Sequence, residues 1–296
     1  MTWEVMAAAP STSYGPVMTL LDDRPDSRRP PTGGAGPLLR SWRQRRRLSQ
    51  LDLACLADVS TRHLSYVETG RARPSRAFVL HVAEHLDVPL RERNDLLVAA
   101  GYAPVYRRTS LEAPEMEPVR MALDLVLGHH EPFPALVVDR HWNLVMANPG
   151  VALLLDGVSP ELLALGGNVM RLSLHPDGLA PRISGFASFS AHLLGRLRRQ
   201  AALVGDPVLQ ELHDELAALP GVSRDEVWDE HPGVVLPITL RTELGELSFF
   251  TTAAVFGTAA DVTLSELTVE QFFPADAFTD AAVRGAAATA AEASPR

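Results

Sequence analysis

Residues 49–75 constrain the fold more than any other stretch. The segment SQLDLACLADVSTRHLSYVETGRARPS opens on Ser49 and runs about two helical turns. It reaches Asp58-Val59, starts again at Ser60 and stops at Gly70. Serine before a periodic run caps a helix, because its hydroxyl accepts from a first-turn amide. Glycine at the far end adopts the left-handed conformation that closes one. The spacing therefore predicts two short helices joined by a very tight turn. Leu53, Ala54 and Ala57 share one face of the first, and Leu64 and Val67 are the apolar pair of the second. Helices joined this tightly cross steeply, and the small side chain of Ala54 suits their contact.

The second helix buries only that pair and turns polar residues outward. A helix of this kind fits the major groove of DNA, where base edges offer donors and acceptors. Thr61, Arg62 and Tyr66 are the expected base readers, with Ser60, His63 and Ser65 beside them. Arg62 suits a bidentate bond to guanine, about 1–3 kcal/mol of discrimination. Gln50 opens the preceding helix, where amides and the helix dipole favour a phosphate. Arg71 and Arg73, past the Gly70 stop, suit the DNA backbone. A polar helix can also be only a solvated surface, but here caps, turn, small-residue contact, glycine stop and Arg-Ala-Arg-Pro occur together.

Charge divides the chain in the same sense. Residues 37–108 hold 13 Arg against 7 Asp and Glu, a balance of +6, while residues 109–296 hold 11 Arg against 25 acids, a balance of −14. One basic, polyanion-facing unit is thus followed by an acidic one. All 27 basic residues are Arg, a compositional bias from which no function follows. The single Cys55 excludes an intrachain disulfide and a multi-cysteine metal site, and reads as a small packing residue. The sequence holds no apolar run of membrane-spanning length and no signal-peptide pattern, so a cytoplasmic protein with no membrane partner is expected.

The expected organisation is a disordered leader over 1–36, five helices over 37–101, a connector over 102–112, a mixed unit over 113–287 and a flexible tail over 288–296. In the mixed unit MEPVRMALDLVLGHH reads as a helix with Val119, Ala122, Leu123 and Val126 on one face. PALVVDRHWNLVMAN reads as two strands around a turn at Asp139-Arg140-His141. GFASFSAHLLGRLRRQAALVG and DPVLQELHDELAAL read as amphipathic helices. GVVLPITLRTEL, GELSFFTTAAVFG and VTLSELTVEQFF read as β-rich runs. The fold class is α+β: an all-α helix-turn-helix unit, then an antiparallel sheet with helices laid on one face.

LSQLDLACLADVSTRHLSYVETGRARPS resembles the phage-repressor-like XRE helix-turn-helix family. Asp58 departs from it, since the family usually has Gly at the turn; Asp tolerates the left-handed region better than most residues. RERNDLLVAAGYAPVY, PALVVDRHWNLVMAN, LSLHPDGLAPRI and LTVEQFFPAD are similar to the MmyB-like transcription regulators, over nearly all of residues 37–285. The resemblance implies a PAS-like C-terminal ligand-binding domain, and fatty acids are associated with some members.

Other constellations read more plainly. His129-His130-Glu131 diverge on a helix and have no third ligand nearby, so no metal is expected. HPDG at 175–178 makes a good turn. Trp142 and Trp228 are core residues by default. No nucleophile elbow, phosphate loop or dinucleotide fingerprint is present, and no enzyme or cofactor is expected. Three functions stay in view. The first is a DNA-binding regulator, dimeric on duplex DNA, whose C-terminal unit takes a small apolar carboxylate of fatty-acid type, with His175 and Arg182 at its head group. The second is a DNA-tethered interaction module with no ligand. The third is a tethered enzyme, which no catalytic set supports.

Overall fold

The computed structural model describes residues 18–19, 34–164, 166–223 and 238–293. Five helices build the N-terminal unit: α1 Ala35–Arg45, α2 Gln50–Leu56, α3 Thr61–Glu68, α4 Arg76–His85 and α5 Leu90–Ala99. Ser49 and Asp52 cap α2 reciprocally: the Asp52 amide donates to the Ser49 hydroxyl at 3.1 Å, and the Ser49 amide to the Asp52 carboxylate at 2.8 Å. Ser60 and Ser75 accept from the amides of His63 and Phe78. Leu39, Trp42, Leu53, Ala54, Ala57, Leu64, Val67, Val82 and Leu96 form one buried cluster. Asp58 takes a φ of +48°, and the Val59 amide bonds back to Ala54 at 2.9 Å. The turn therefore forms with aspartate where its relatives by resemblance have glycine.

The expected leader ends earlier than residue 36. α1 starts at Ala35 and includes Gly36, where a methyl group would overlap the Val67 carbonyl oxygen. Only glycine lets α1 and α3 approach so closely. Further upstream, Met18–Thr19 forms a short strand, β1. A turn-rich composition says nothing about whether an edge strand waits elsewhere in the fold. The connector is also structured. The Asn94 side chain accepts from the amides of Val105 and Tyr106 and donates to the Tyr106 carbonyl. Thr109 bonds Asp261 through both its amide and its hydroxyl. Leu111 is buried against the second unit.

That second unit contains β2 Ala135–Val138, β3 Leu144–Ala147, β4 Ile183–Ser184, β5 Ile238–Thr242, β6 Gly245–Val255 and β7 Thr268–Pro274. With β1 they form one sheet in the order β1-β3-β2-β7-β6-β5-β4, and every neighbouring pair is antiparallel. Its helices are α6 Glu117–His129, α7 Ala152–Leu155, α8 Pro160–Ala164, α9 Val169–Leu174, α10 Phe186–Val204, α11 Pro207–Ala217, α12 Val262–Ser265 and α13 Ala277–Ala293. The architecture is α+β, as expected.

Side chains alternate across the sheet. Leu136, Val138, Leu240, Leu247, Phe249 and Phe272 join a core closed by Leu154, Met170, Leu194, Leu197, Leu209, Leu212 and Val283 from the helices. Ala135, Val137, Met146 and Val269 point the other way, onto Leu123 and Leu127 of α6. Helices thus cover both faces, and the one-face expectation is corrected. The ALVV run of β2 is buried at all four positions because it has a helix layer on either side.

Three further expectations shift. α6 buries Leu123 and Leu127 while Val126 is 42% exposed and Ala122 is also outside; its apolar residues extend nearly all round, so the periodicity did not single out one face. VTLS is a helix rather than strand, because Asp261 accepts from the amides of Thr263 and Leu264 and caps it. The expected tail is helical through Ala293, as its alanines favour. Trp228 and the start of the GVVLPITLRTEL run lie outside the described residues.

Candidate nucleic-acid interface

Three helices fix α3. Leu64 and Val67 are buried as expected, but so is Glu68. Its carboxylate takes a bidentate pair from Arg43 of α1, at 2.7 and 2.8 Å, and a third bond from the Gln50 side chain at 2.8 Å. Burial pushes the Glu68 pKa up, but the bonds from Arg43 and Gln50 and the charges of Arg43 and Arg40 outweigh it and hold the carboxyl below its usual value. Gln50 therefore positions α3 with its side chain. From α4, His81 Nε2 donates to the Ala57 carbonyl at 2.6 Å and secures the end of α2 at the turn. Neither Glu68 nor His81 was picked out by local pattern, since each partner is 18 or more residues away.

The opposite side of α3 is open. Ser60, Arg62 and His63 are exposed, and Thr61, Ser65 and Tyr66 are half-buried. Arg62 Nε donates to the Tyr66 hydroxyl at 3.1 Å, with its guanidinium 5.3 Å from that ring's centre. The pair presents one cationic edge held by an aromatic neighbour, one turn apart on the helix. His63 packs edge-on against Phe78 at 4.8 Å. Arg71 and Arg76 are exposed just beyond α3.

Arg73 is exposed too, but it is also engaged within the unit. Its Nε and Nη2 donate to the Ala100 carbonyl at 3.2 and 3.1 Å, beside the Tyr102 ring. It closes the C-terminal end of α5, where carbonyls lack helical partners. Cys55, expected to pack, is exposed on α2.

In the second unit the two expected head-group residues are engaged locally. His175 Nδ1 accepts from the Asp177 amide at 3.1 Å, and the Gly178 amide closes the turn onto the His175 carbonyl. Arg182 donates to the main-chain carbonyls of Leu153, Leu154, Asp156 and Arg241, stitching the end of α7 to β5. His130 is buried, donates to the Phe272 carbonyl at 2.8 Å, and has its pKa lowered by burial, while His129 is exposed. Trp142 is buried, with Nε1 donating to Gln200 at 2.8 Å.

A short, clamped helix with an open polar face, followed by a sheet domain, is the arrangement of a helix-turn-helix DNA-binding regulator that carries a second domain. Comparison agrees: residues 35–96 match a helix-turn-helix domain, and residues 119–285 match the MmyB-like transcription regulator ligand binding domain. The chain belongs to the MmyB-like transcription regulators. It is also 26% identical over 226 residues to uncharacterized HTH-type transcriptional regulators of Mycobacterium bovis and Mycobacterium tuberculosis, covering 69% of this chain and 88% of theirs. Among the described residues, no helix is long and apolar enough to cross a membrane.

Proposed function

We propose that the protein recognises an operator in duplex DNA through α3 lying in the major groove, with Arg62 reading a guanine. The observation that carries this reading is the opposition across α3: Glu68 locked at the back, Arg62 held by Tyr66 on the exposed front. Thr61, His63 and Ser65 flank that edge, and Arg71 supplies phosphate contact. One such unit buries about 600–1,000 Å² of protein surface, which favours a homodimer on a repeated half-site. Titration of Arg62→Ala against selected and random duplexes tests it. The expected result is a loss of about 1–3 kcal/mol confined to one operator position. Equal weakening on both duplexes refutes base reading by Arg62.

For regulation we propose a fatty-acid-like effector in the ligand-binding domain. Support comes from the family and from the apolar interior between sheet and helices. Organic extraction of the purified protein with mass spectrometry, and thermal shifts with a fatty-acid panel, test it; neither a carried lipid nor a shift refutes it. An interaction module without ligand is the second reading. It is favoured by the local satisfaction of His175 and Arg182 and by the close burial of Leu197, Leu240, Leu247 and Phe249.

A further inference from the structure

The two units meet at a cluster of charges centred on Arg140, in the turn between β2 and β3. Its Nη2 lies 2.8 Å from Glu92 of α5 and 2.6 Å from Asp206, and its Nη1 lies 2.7 Å from Glu266. Glu266 in turn takes a bidentate pair from Arg91 of α5, at 2.7 and 2.6 Å. His141 Nε2 lies 3.0 Å from Asp206. The side chains of Arg91, Glu92, Arg140, Asp206 and Glu266 are all 14% exposed or less. Water therefore does little to replace a lost partner, and the cluster is costly to break by halves.

A second set of contacts falls on the corner between α10 and α11. Arg45, the last residue of α1, and Arg46, its C-cap, donate to the carbonyls of Val204 and Leu203, at 3.0 and 3.3 Å. These are carbonyls of the last turn of α10, which favours cations. Val204 itself packs on the core of the helix-turn-helix unit. Asp206, which caps α11 by accepting from the Val208 amide at 3.0 Å, is one of the Arg140 acids. So the corner is held from one side by α1 and from the other by the Arg140 cluster.

We infer that the α10–α11 corner, clamped by Arg45, Arg46 and the Arg140 cluster, is the joint that transmits the state of the ligand-binding domain to the helix-turn-helix unit. α10 and α11 close the apolar interior through Leu194, Leu197, Ala201, Leu209, Leu212 and Leu216. A rearrangement of that interior that moves either helix must carry α1 and α5 with it or part the cluster. Because partial separation strands buried charges, the joint favours two discrete positions over a continuum. α1 is the helix that holds Glu68 of α3, so the displacement arrives at the reading helix through one further contact. The inference deepens the regulated reading above and rests on it only for the identity of the input.

The test uses the full chain without any effector. Glu92→Gln removes the one acid that α5 gives to Arg140 and leaves Asp206 and Glu266 in place. Arg45→Ala with Arg46→Ala removes the other grip. Calorimetry of the wild type is expected to show one unfolding transition, and either variant two. Hydrogen exchange of the amides at 203–208 is expected to rise about tenfold in each variant. Unchanged exchange and a single transition in both variants, or two transitions already in the wild type, overturn the joint. Binding to random-sequence duplex at low salt is read in parallel. Retained binding beside a failed joint leaves the DNA-binding reading standing, and lost wild-type binding refutes that reading alone. Should Arg45→Ala with Arg46→Ala not fold, Glu92→Gln decides.

Discussion

Arg43 and Glu68 meet as a buried bidentate pair, Nε to Oε1 at 2.7 Å and Nη2 to Oε2 at 2.8 Å, tying α1 to the base of α3. Their side chains are 9% and 1% exposed. Truncating Arg43 strands a carboxylate out of water, so Arg43→Ala is expected to destabilise the N-terminal unit by about 3 kcal/mol. Urea unfolding followed by circular dichroism measures it. A change within error would mean that water reaches the pair.

The same pair sets an acid dependence. The Glu68 pKa is depressed in the folded state from an ordinary 4.5. Its contribution to stability is therefore complete above that unfolded-state value and is lost as pH falls through the lower folded-state value. Thermal midpoints of the full chain are expected to drop through this acid window. Glu68→Gln should flatten the part of the slope that belongs to this residue. A slope identical in variant and wild type would assign acid sensitivity to other carboxylates, Glu266 first among them, since it is depressed as well.

Arg71 and Arg73 are expected to separate cleanly. Arg71→Ala should weaken binding to every duplex and lower the salt slope by about one. Arg73→Ala should leave that slope nearly unchanged and destabilise the fold by about 1.5–3 kcal/mol, the usual worth of a hydrogen bond from a charged donor. The sequence pattern assigns both arginines to DNA, whereas the structure ties Arg73 to Ala100. Binding isotherms at several salt concentrations, beside thermal melts, distinguish them.

Two backbone positions give opposite signs. Gly36→Ala drives a methyl group into the Val67 carbonyl and is expected to cost about 1–3 kcal/mol. Asp58→Gly relieves a side chain held at φ +48° and is expected to raise stability by at most about 1 kcal/mol. Paired thermal melts report both. Stabilisation by Gly36→Ala would mean that α1 and α3 can part at no expense.

What could be read in advance was local. Ser49, Ser60 and Gly70 act within a turn of the residues they cap, so pattern alone located α2 and α3. Arg43 reaches Glu68 across 25 positions and Arg73 reaches Ala100 across 27. No spacing rule signals such pairs, and an arginine bound for an internal carbonyl looks like one bound for phosphate. α6 hid its buried face by being apolar nearly all round. VTLS hid its helix in β-branched residues, with only the Asp261 cap to betray it. Net charge did not single out the junction, whose residues come from four separate segments on both units and became visible only in three dimensions.

Arg196 stacks over the Trp142 ring at 4.3 Å, and Arg45 and Arg46 lie over Trp42 at 4.8 and 5.4 Å. Trp142 adjoins the hub residues Arg140 and His141, while the cations over Trp42 are the two that grip α10. The described part of the molecule thus carries an indole on either side of the boundary, each stacked under a guanidinium of its own unit. Because Trp42 and Trp142 stand beside the residues that join the two units, their emission is expected to change when the boundary opens, in unlabelled protein and in real time. With Trp3 and Trp228 also replaced by phenylalanine, removing either of these two indoles leaves the other as a single-channel reporter.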